Sequence, residues 1–168
     1  MTGGLGFVCS CCGVRHSEVP MNYTTAAPVV WEPDFADAED CLLSSDQCVI
    51  RAQQFFIKGL VEIPVIGSEE VLSWATWVSL SRADFSRMAD LWDTVGREAE
   101  EPYVGWLATD LWTYSPMTVN LKARVHTRPV GERPFVELEP TDHPLAVEQR
   151  TGITWDRVRE IAETAQIH

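Results

Sequence analysis

Phe55-Phe56-Ile57-Lys58-Gly59-Leu60-Val61-Glu62-Ile63-Pro64-Val65-Ile66, followed by Gly67-Ser68-Glu69-Glu70 and then Val71 to Leu80, is the stretch that decides the fold. Phe55–Ile57 and Leu60–Ile66 have the aromatic and β-branched content of strands, and a polar turn carrying Gly67 ends the second. In the run that follows, Leu72, Trp74, Val78 and Leu80 recur on one face at period two, with Thr76 among them. Two such strands joined by a turn predict a hairpin with one face to bury.

Downstream, Ser81 is an N-cap candidate with Asp84 three residues on, which predicts a helix from Arg82 to about Val95, ended by Gly96. Phe85, Met88, Ala89 and Trp92 would form its core-facing stripe. Tyr103 to Leu107 reads as a strand and Leu111 to Pro116 as an aromatic loop. Thr118 to Thr127 is a strand with divided faces, Leu121, Ala123 and Val125 against Lys122, Arg124 and His126. Val130-Gly131-Glu132 turns it into Phe135 to Glu139. A hairpin centred on Gly131 and Glu132 sets His126 opposite Glu137 and Arg124 opposite Glu139. Pro144 to Gln149 reads as a helical turn, and Thr154 caps a terminal helix from Trp155 to about Ala165.

The opening of the chain is different. Phe7-Val8-Cys9-Ser10-Cys11-Cys12-Gly13-Val14-Arg15-His16 crowds soft and borderline ligand atoms into ten residues. Cys9 and Cys12 form a C-x-x-C pair followed by Gly13, the layout of a zinc knuckle. Structural Zn2+ takes four ligands, and the set expected here is Cys9, Cys12, His16 and Cys48, with Cys41 and His143 as competitors. The alternative is that these are reduced, buried thiols without metal. Val19 to Asp40, with Pro20, Pro28 and Pro33, reads as an irregular arm with a short helical turn near Phe35 to Leu42. The fold class predicted is therefore α+β: an antiparallel sheet with two principal helices and an N-terminal zinc-knuckle arm. One domain is expected over residues 1–168, the knuckle and arm spanning 1–48 and the core 49–168.

Charge narrows the function. The chain carries 13 Lys and Arg against 25 Asp and Glu, a formal net charge of −12. A nucleic-acid binder needs a basic footprint, so nucleic-acid binding is not expected. Acidity suits a basic protein partner. No apolar run reaches membrane-spanning length, and five cysteines without a signal-like opening predict a reducing cytoplasm.

Taken together, Cys9-x-x-Cys12-Gly13-x-x-His16, Cys48-Val49-Ile50, Phe55-Phe56-Ile57-Lys58-Gly59, Trp77-Val78-Ser79-Leu80-Ser81, Gly105-Trp106-Leu107 and Leu138-Glu139-Pro140-Thr141-Asp142-His143-Pro144-Leu145-Ala146 resemble the bacterial family called domain of unknown function 2199. The likeness runs from about Phe7 to Gly152-Ile153. It implies a small bacterial protein, supports Cys9, Cys12, His16 and Cys48 as one set, and brings no activity. Cys11 and Trp112 depart from the pattern.

Two further clusters carry candidate chemistry. Glu139, Asp142 and His143, with Glu137 and Glu148 near them, surround Pro140 and Pro144; His143 beside Asp142 suits a general base or metal ligand. The structural alternative is that His143 caps the following helical turn. Lys122, Arg124, His126 and Arg128 suit an anion, although pairing with Glu137 and Glu139 also explains them. Trp106 and Trp112, with Tyr103 and Tyr114 near them, are candidates for an exposed aromatic patch. Phosphate-loop, dinucleotide, nucleophile-elbow and H-E-x-x-H signatures are absent. The expectation is a binding or interaction module with structural zinc, possible forms being an inhibitor or immunity-type protein. The alternative is a metal-dependent enzyme with an open zinc site and His143 or Glu139 as acid/base.

Overall fold

The computed structural model describes residues 19–165, together with the backbone of Phe7–Val8 and Arg15–His16. The strands are β1 (Phe7–Val8), β2 (Arg15–His16), β3 (Asn22–Thr24), β4 (Leu42–Leu43), β5 (Gln47–Ile50), β6 (Gln54–Pro64), β7 (Val71–Leu80), β8 (Tyr103–Leu107), β9 (Lys122–His126) and β10 (Phe135–Leu138). The helices are α1 (Arg82–Asp90), α2 (Pro144–Thr151) and α3 (Trp155–Ala165), with 3-10 turns at Pro33–Asp37 and Arg97–Ala99.

The predicted hairpin is the frame. β6 and β7 pair antiparallel along their whole length, from Phe55 opposite Leu80 to Pro64 opposite Val71. Leu72, Trp74, Thr76, Val78 and Leu80 are all buried, as are Ile57, Val61 and Ile63 of the partner strand. Each large apolar side chain buried this way contributes about 1.5–3 kcal/mol. A one-residue slip would turn the whole row outward, so the pattern holds the register.

Both strands are longer than their other neighbours, and each shares its far edge between two of them. β7 takes β3 in parallel at Ser73–Ala75 and β8 antiparallel at Val78–Ser79. β6 takes β5 at Gln54–Ile57 and β10 in parallel at Leu60. The path β6, β7, β8, β9, β10 and back to β6 closes the expected antiparallel sheet into a five-stranded barrel, with the β10–β6 seam parallel. Closure is sealed by Leu60 N donating to Pro134 O at 2.8 Å. Two glycines permit it: a Cβ on Gly59 would sit 2.5 Å from Val136 Cγ2, and one on Gly105 would sit 2.7 Å from Ser79 O. Neither requirement is local, which is why the strand pattern alone predicts a sheet and not a barrel.

The helices depart from expectation in length and number. Ser81 caps α1, its Oγ accepting from Asp84 N at 3.1 Å. The helix ends at Asp90, because the chain turns at Leu91 and through Gly96 (φ +89°) so that Arg97 can reach inward. Ala89 and Trp92 are consequently exposed, whereas Met88 is buried. Pro144–Gln149, expected as one turn, belongs to a true helix α2 that runs to Thr151. Thr154 begins α3, its Oγ1 accepting from Arg157 N at 3.2 Å, and Val158, Ile161 and Ala162 bury its apolar stripe.

The β9–β10 hairpin is registered two residues away from the predicted pairing. His126 lies opposite Phe135 and Arg124 opposite Glu137. The turn is Pro129-Val130-Gly131-Glu132, closed by Glu132 N to Pro129 O at 3.0 Å, with Gly131 at φ +94°. A left-handed residue at the third position requires glycine there, and that centres the turn one residue earlier than expected.

The expected boundary at residue 48 cuts through β5. Segment 19–50 supplies β3, β4 and β5 to the sheet. It also builds a second apolar cluster on the outer face of β6 and β7: Cys48, Ile50, Phe56, Trp77 and Ala108, covered by Trp31, Phe35, Cys41 and Leu43.

Candidate functional site

Of the four expected zinc ligands, Cys9 and Cys12 lie outside the described residues, as does Cys11. The backbone of His16 is described: β1 and β2 pair antiparallel, Phe7 with His16 and Val8 with Arg15. Cys48 is fully buried in the outer apolar cluster. Burial, with the neighbouring Cys41 thiol adding to it, pushes the Cys48 thiol up to about 12. Cys48 pairs with Phe56 near the start of β6, whereas α3, against which β1 packs, is joined to the opposite end of that strand through Ile153 N to Pro64 O. Among the described residues no three Cys, His, Asp or Glu side chains gather as a metal site.

His143 is the N-cap of α2. Its Nδ1 accepts from Leu145 N at 3.1 Å, so the hydrogen is on Nε2, which donates to Pro116 O at 2.7 Å. Both ring nitrogens are thus engaged in holding α2 to the 111–116 loop. Glu139 and Asp142 are exposed. Glu148 accepts from Tyr114 Oη at 2.7 Å and from Arg157 Nε at 2.8 Å, tying the same loop to α2 and α3. These residues form a brace.

Along β9, His126 Nε2 meets Glu137 Oε1 at 3.0 Å diagonally across the ladder. Arg128 pairs with an acid that sequence reading did not single out for it, Glu62, at 2.6 and 3.0 Å. The Glu62 hydrogen bond leads in raising the Arg128 pKa, and it outweighs burial. The aromatic residues do not form one patch: Trp106 is exposed on β8, whereas Trp112 packs edge-on against Trp74 and Tyr23 at 5.3 and 6.0 Å.

The concavity that the sequence does not announce is a cleft of about 840 Å³. Asn22, Thr24, Ser73 and Ala75 form one wall. The β9–β10 loop from Thr127 to Pro134 and the α1 end at Met88, Leu91 and Trp92 form the others. That size is within the range of small-molecule sites.

Three arginines stiffen it. Arg97, 9% exposed, donates to four carbonyls: Nε to Arg128 O at 2.8 Å, Nη1 to Trp92 O at 2.8 Å, and Nη2 to Pro129 O at 3.1 Å and Glu132 O at 3.0 Å. Arg128 holds Glu62. Arg133 Nε donates to Asp46 Oδ1 at 2.7 Å. Burial works to raise the Asp46 pKa, but the hydrogen bonds from Arg133 and Ser45 win and hold the carboxyl below its ordinary range.

Behind that pair lies Lys58, only 7% exposed. Its ammonium donates to Thr24 Oγ1 at 3.0 Å and stands 5.0 Å from the centre of the Trp77 ring. Burial, reinforced by the charge of Arg133, pulls Lys58 below the usual lysine range. Two hydroxyls on the cleft, Tyr23 Oη and Thr127 Oγ1, are buried without a hydrogen-bond partner among the described residues, and burial pushes the Tyr23 phenol up to about 12. The sequence signal for this site is Lys58 itself, a lysine inside the apolar run Phe55–Val61 at a position whose neighbours pack.

The family described as an uncharacterized protein conserved in bacteria, domain of unknown function 2199, matches residues 8–153. The chain belongs to this family. The match takes in β3 through α2, hence every residue of the cleft and, of the His143 brace, all but Arg157. No curated protein and no solved structure matches the chain. Among the described residues no helix is long and apolar enough to cross a membrane.

Proposed function

We propose that this protein is a small bacterial binding module that receives its ligand in the cleft and carries a structural zinc ion in its N-terminal hairpin. The observation that carries the reading is the bracing of the cleft. Arg97, Arg128 and Arg133 are committed to carbonyls or carboxylates, a preorganised wall of the kind that serves recognition. The two histidines with described side chains, His126 and His143, are bonded elsewhere. A general acid or base with free reach is the part that the enzyme reading needs and lacks support for.

The zinc is proposed for Cys9, Cys12 and His16. The antiparallel pairing of Val8 with Arg15 favours it, since it sets the residues that flank the knuckle cysteines on adjacent strands. With a fourth ligand completing the tetrahedron, zinc would tie the hairpin without an open position for water. Cys48, expected as the fourth ligand, has less support because its environment is apolar core. Net charge of −12 supports a basic protein as the partner outside the cleft.

The test is elemental analysis of untagged protein purified without chelator, with cobalt substitution and Cys9→Ser, Cys12→Ser and Cys48→Ala variants. The expected result is about one metal per chain, lost in the first two variants and kept in the third, with a cobalt spectrum unmoved by added azide. A spectrum that azide shifts would mean an exchangeable position and favour the enzyme. Loss in Cys48→Ala as well would return Cys48 to the ligand set.

A further inference from the structure

Behind the cleft wall stands a buried cation whose hydrogen-bond and ring partners are electrically neutral. Lys58 gives one hydrogen bond to a hydroxyl and faces an indole ring. The carboxylate that acts on it, Asp46, has both oxygens in use: Oδ1 accepts from Arg133 and Oδ2 accepts from Ser45 Oγ at 2.9 Å. An ammonium has three donors, and among the described residues Lys58 makes no ion pair. Buried charges are ordinarily paired, because desolvation otherwise disfavours them strongly. Thr24, Asp46 and Arg133, which surround this ammonium, all line the cleft.

Arg97 adds a second cation in the wall that is satisfied by carbonyls and not by an acid. The lining carries Asp46, Asp93 and Glu132 against Arg97, Arg128 and Arg133, so its own charges balance, and Lys58 behind it is a further cation without an ion pair among the described residues. The remainder of the lining is mixed. Met88, Leu91 and Trp92 offer an apolar surface on the α1 side, and Trp92 is 38% exposed.

We infer that the cleft binds a small amphipathic organic acid, its carboxylate taking up the free donors of Lys58 beside Thr24 and its apolar body lying against Trp92, Leu91 and Met88. This rests on the cleft being the recognition site. The anion supplies the missing counter-charge, and a charge-assisted hydrogen bond in a desolvated place is stronger than the neutral one to Thr24. The outer strip of Lys122 and Arg124 is a poorer candidate, being exposed and facing Glu137.

The experiment is an NMR titration of the ¹⁵N-labelled full chain with benzoate and, separately, with the neutral near-isostere benzyl alcohol, on the wild type and Lys58→Met. Benzoate is expected to give saturable shifts at the amides of Thr24, Ser73 and Gly131, with an affinity about tenfold or more weaker in Lys58→Met, and benzyl alcohol to be weaker than benzoate in the wild type by a similar factor. The wild-type comparison of the two probes stands whether or not the variant folds. Equal binding of both probes in the cleft would overturn the organic-acid assignment and leave the cleft as a recognition site. Benzoate shifts confined to Lys122 and Arg124 would overturn it in favour of surface charge. No cleft shifts from either probe would overturn both the assignment and the reading beneath it.

Discussion

Lys58 Nζ and Thr24 Oγ1 are 3.0 Å apart across the β3–β7–β6 ladder, joining strands that are 34 residues apart in the chain. A charged group is held there by a neutral one. Without ligand this arrangement costs stability, so Lys58→Met is expected to raise the melting temperature, corresponding to about 1 kcal/mol or more. The pH dependence has a definite sign. Because the folded pKa is lowered, the unfolded chain binds more protons between that value and the ordinary lysine value near ~10.4. Wild-type stability should therefore gain on that of Lys58→Met as pH rises through this window. Denaturant melts of both proteins across alkaline pH measure the difference, in which the shared tyrosine titrations cancel.

The two seam glycines should be intolerant of even one methyl group. Gly105→Ala places a Cβ 2.7 Å from the Ser79 carbonyl oxygen, and Gly59→Ala places one 2.5 Å from Val136 Cγ2 and 3.2 Å from Pro134 O. Backbone yields less readily than a side-chain methyl, so the Gly105 change is expected to be the more damaging. Each should lose about 1–3 kcal/mol in urea unfolding, typical of overpacking. Near-wild-type midpoints for both would contradict the closed barrel.

His143→Ala removes the cap of α2 and leaves Pro116 O without its donor. The expected loss is about 1–2 kcal/mol, with His143→Asn recovering part of it because asparagine also caps. If the imidazole were instead a reactive group, the asparagine variant would melt like wild type and fail only in an activity assay.

Cys48 should be inert. A thiol with its pKa raised to about 12 and no exposed surface carries almost no thiolate at neutral pH. Ellman's reagent is expected to leave it unmodified in the native protein and to modify it in guanidinium. Cys48→Ser, which buries a hydroxyl among Ile50, Phe56 and Trp77, should cost about 1–3 kcal/mol. Rapid modification of Cys48 under native conditions would mean that the outer apolar cluster is open.

Much of this architecture is legible from local pattern. The alternation in Val71–Leu80 gives the buried face of β7, Ser81 and Thr154 give their helix starts, and Val136 and Leu138 give the inner face of β10. What is hidden depends on distant partners. That Gly59 and Gly105 are openings for Val136 and for the Ser79 backbone follows only from three-dimensional approach. Arg97 reads as an ordinary loop arginine until the carbonyls of 92, 128, 129 and 132 converge on it. The charges of β9 were assignable to pairing, yet the partner of Arg128 is 66 residues away. Cysteine spacing speaks for the hairpin, and it is silent about the aromatic side chains that enclose Cys48.

Lys58 and Gly59 are consecutive, and a strand sends consecutive side chains to opposite faces. One reaches Thr24 outside the barrel and the other leaves room for Val136 inside it. A single-residue insertion or deletion upstream within β6 would therefore exchange them, driving a lysine into the barrel interior and leaving a glycine beside Thr24. Length changes in this gene should be tolerated at the Gly67–Glu70 turn, where Gly67 has open space around it, and rejected throughout Gln54–Gly59. Homologues of different length would then differ in their turns while keeping the lysine-glycine step in phase.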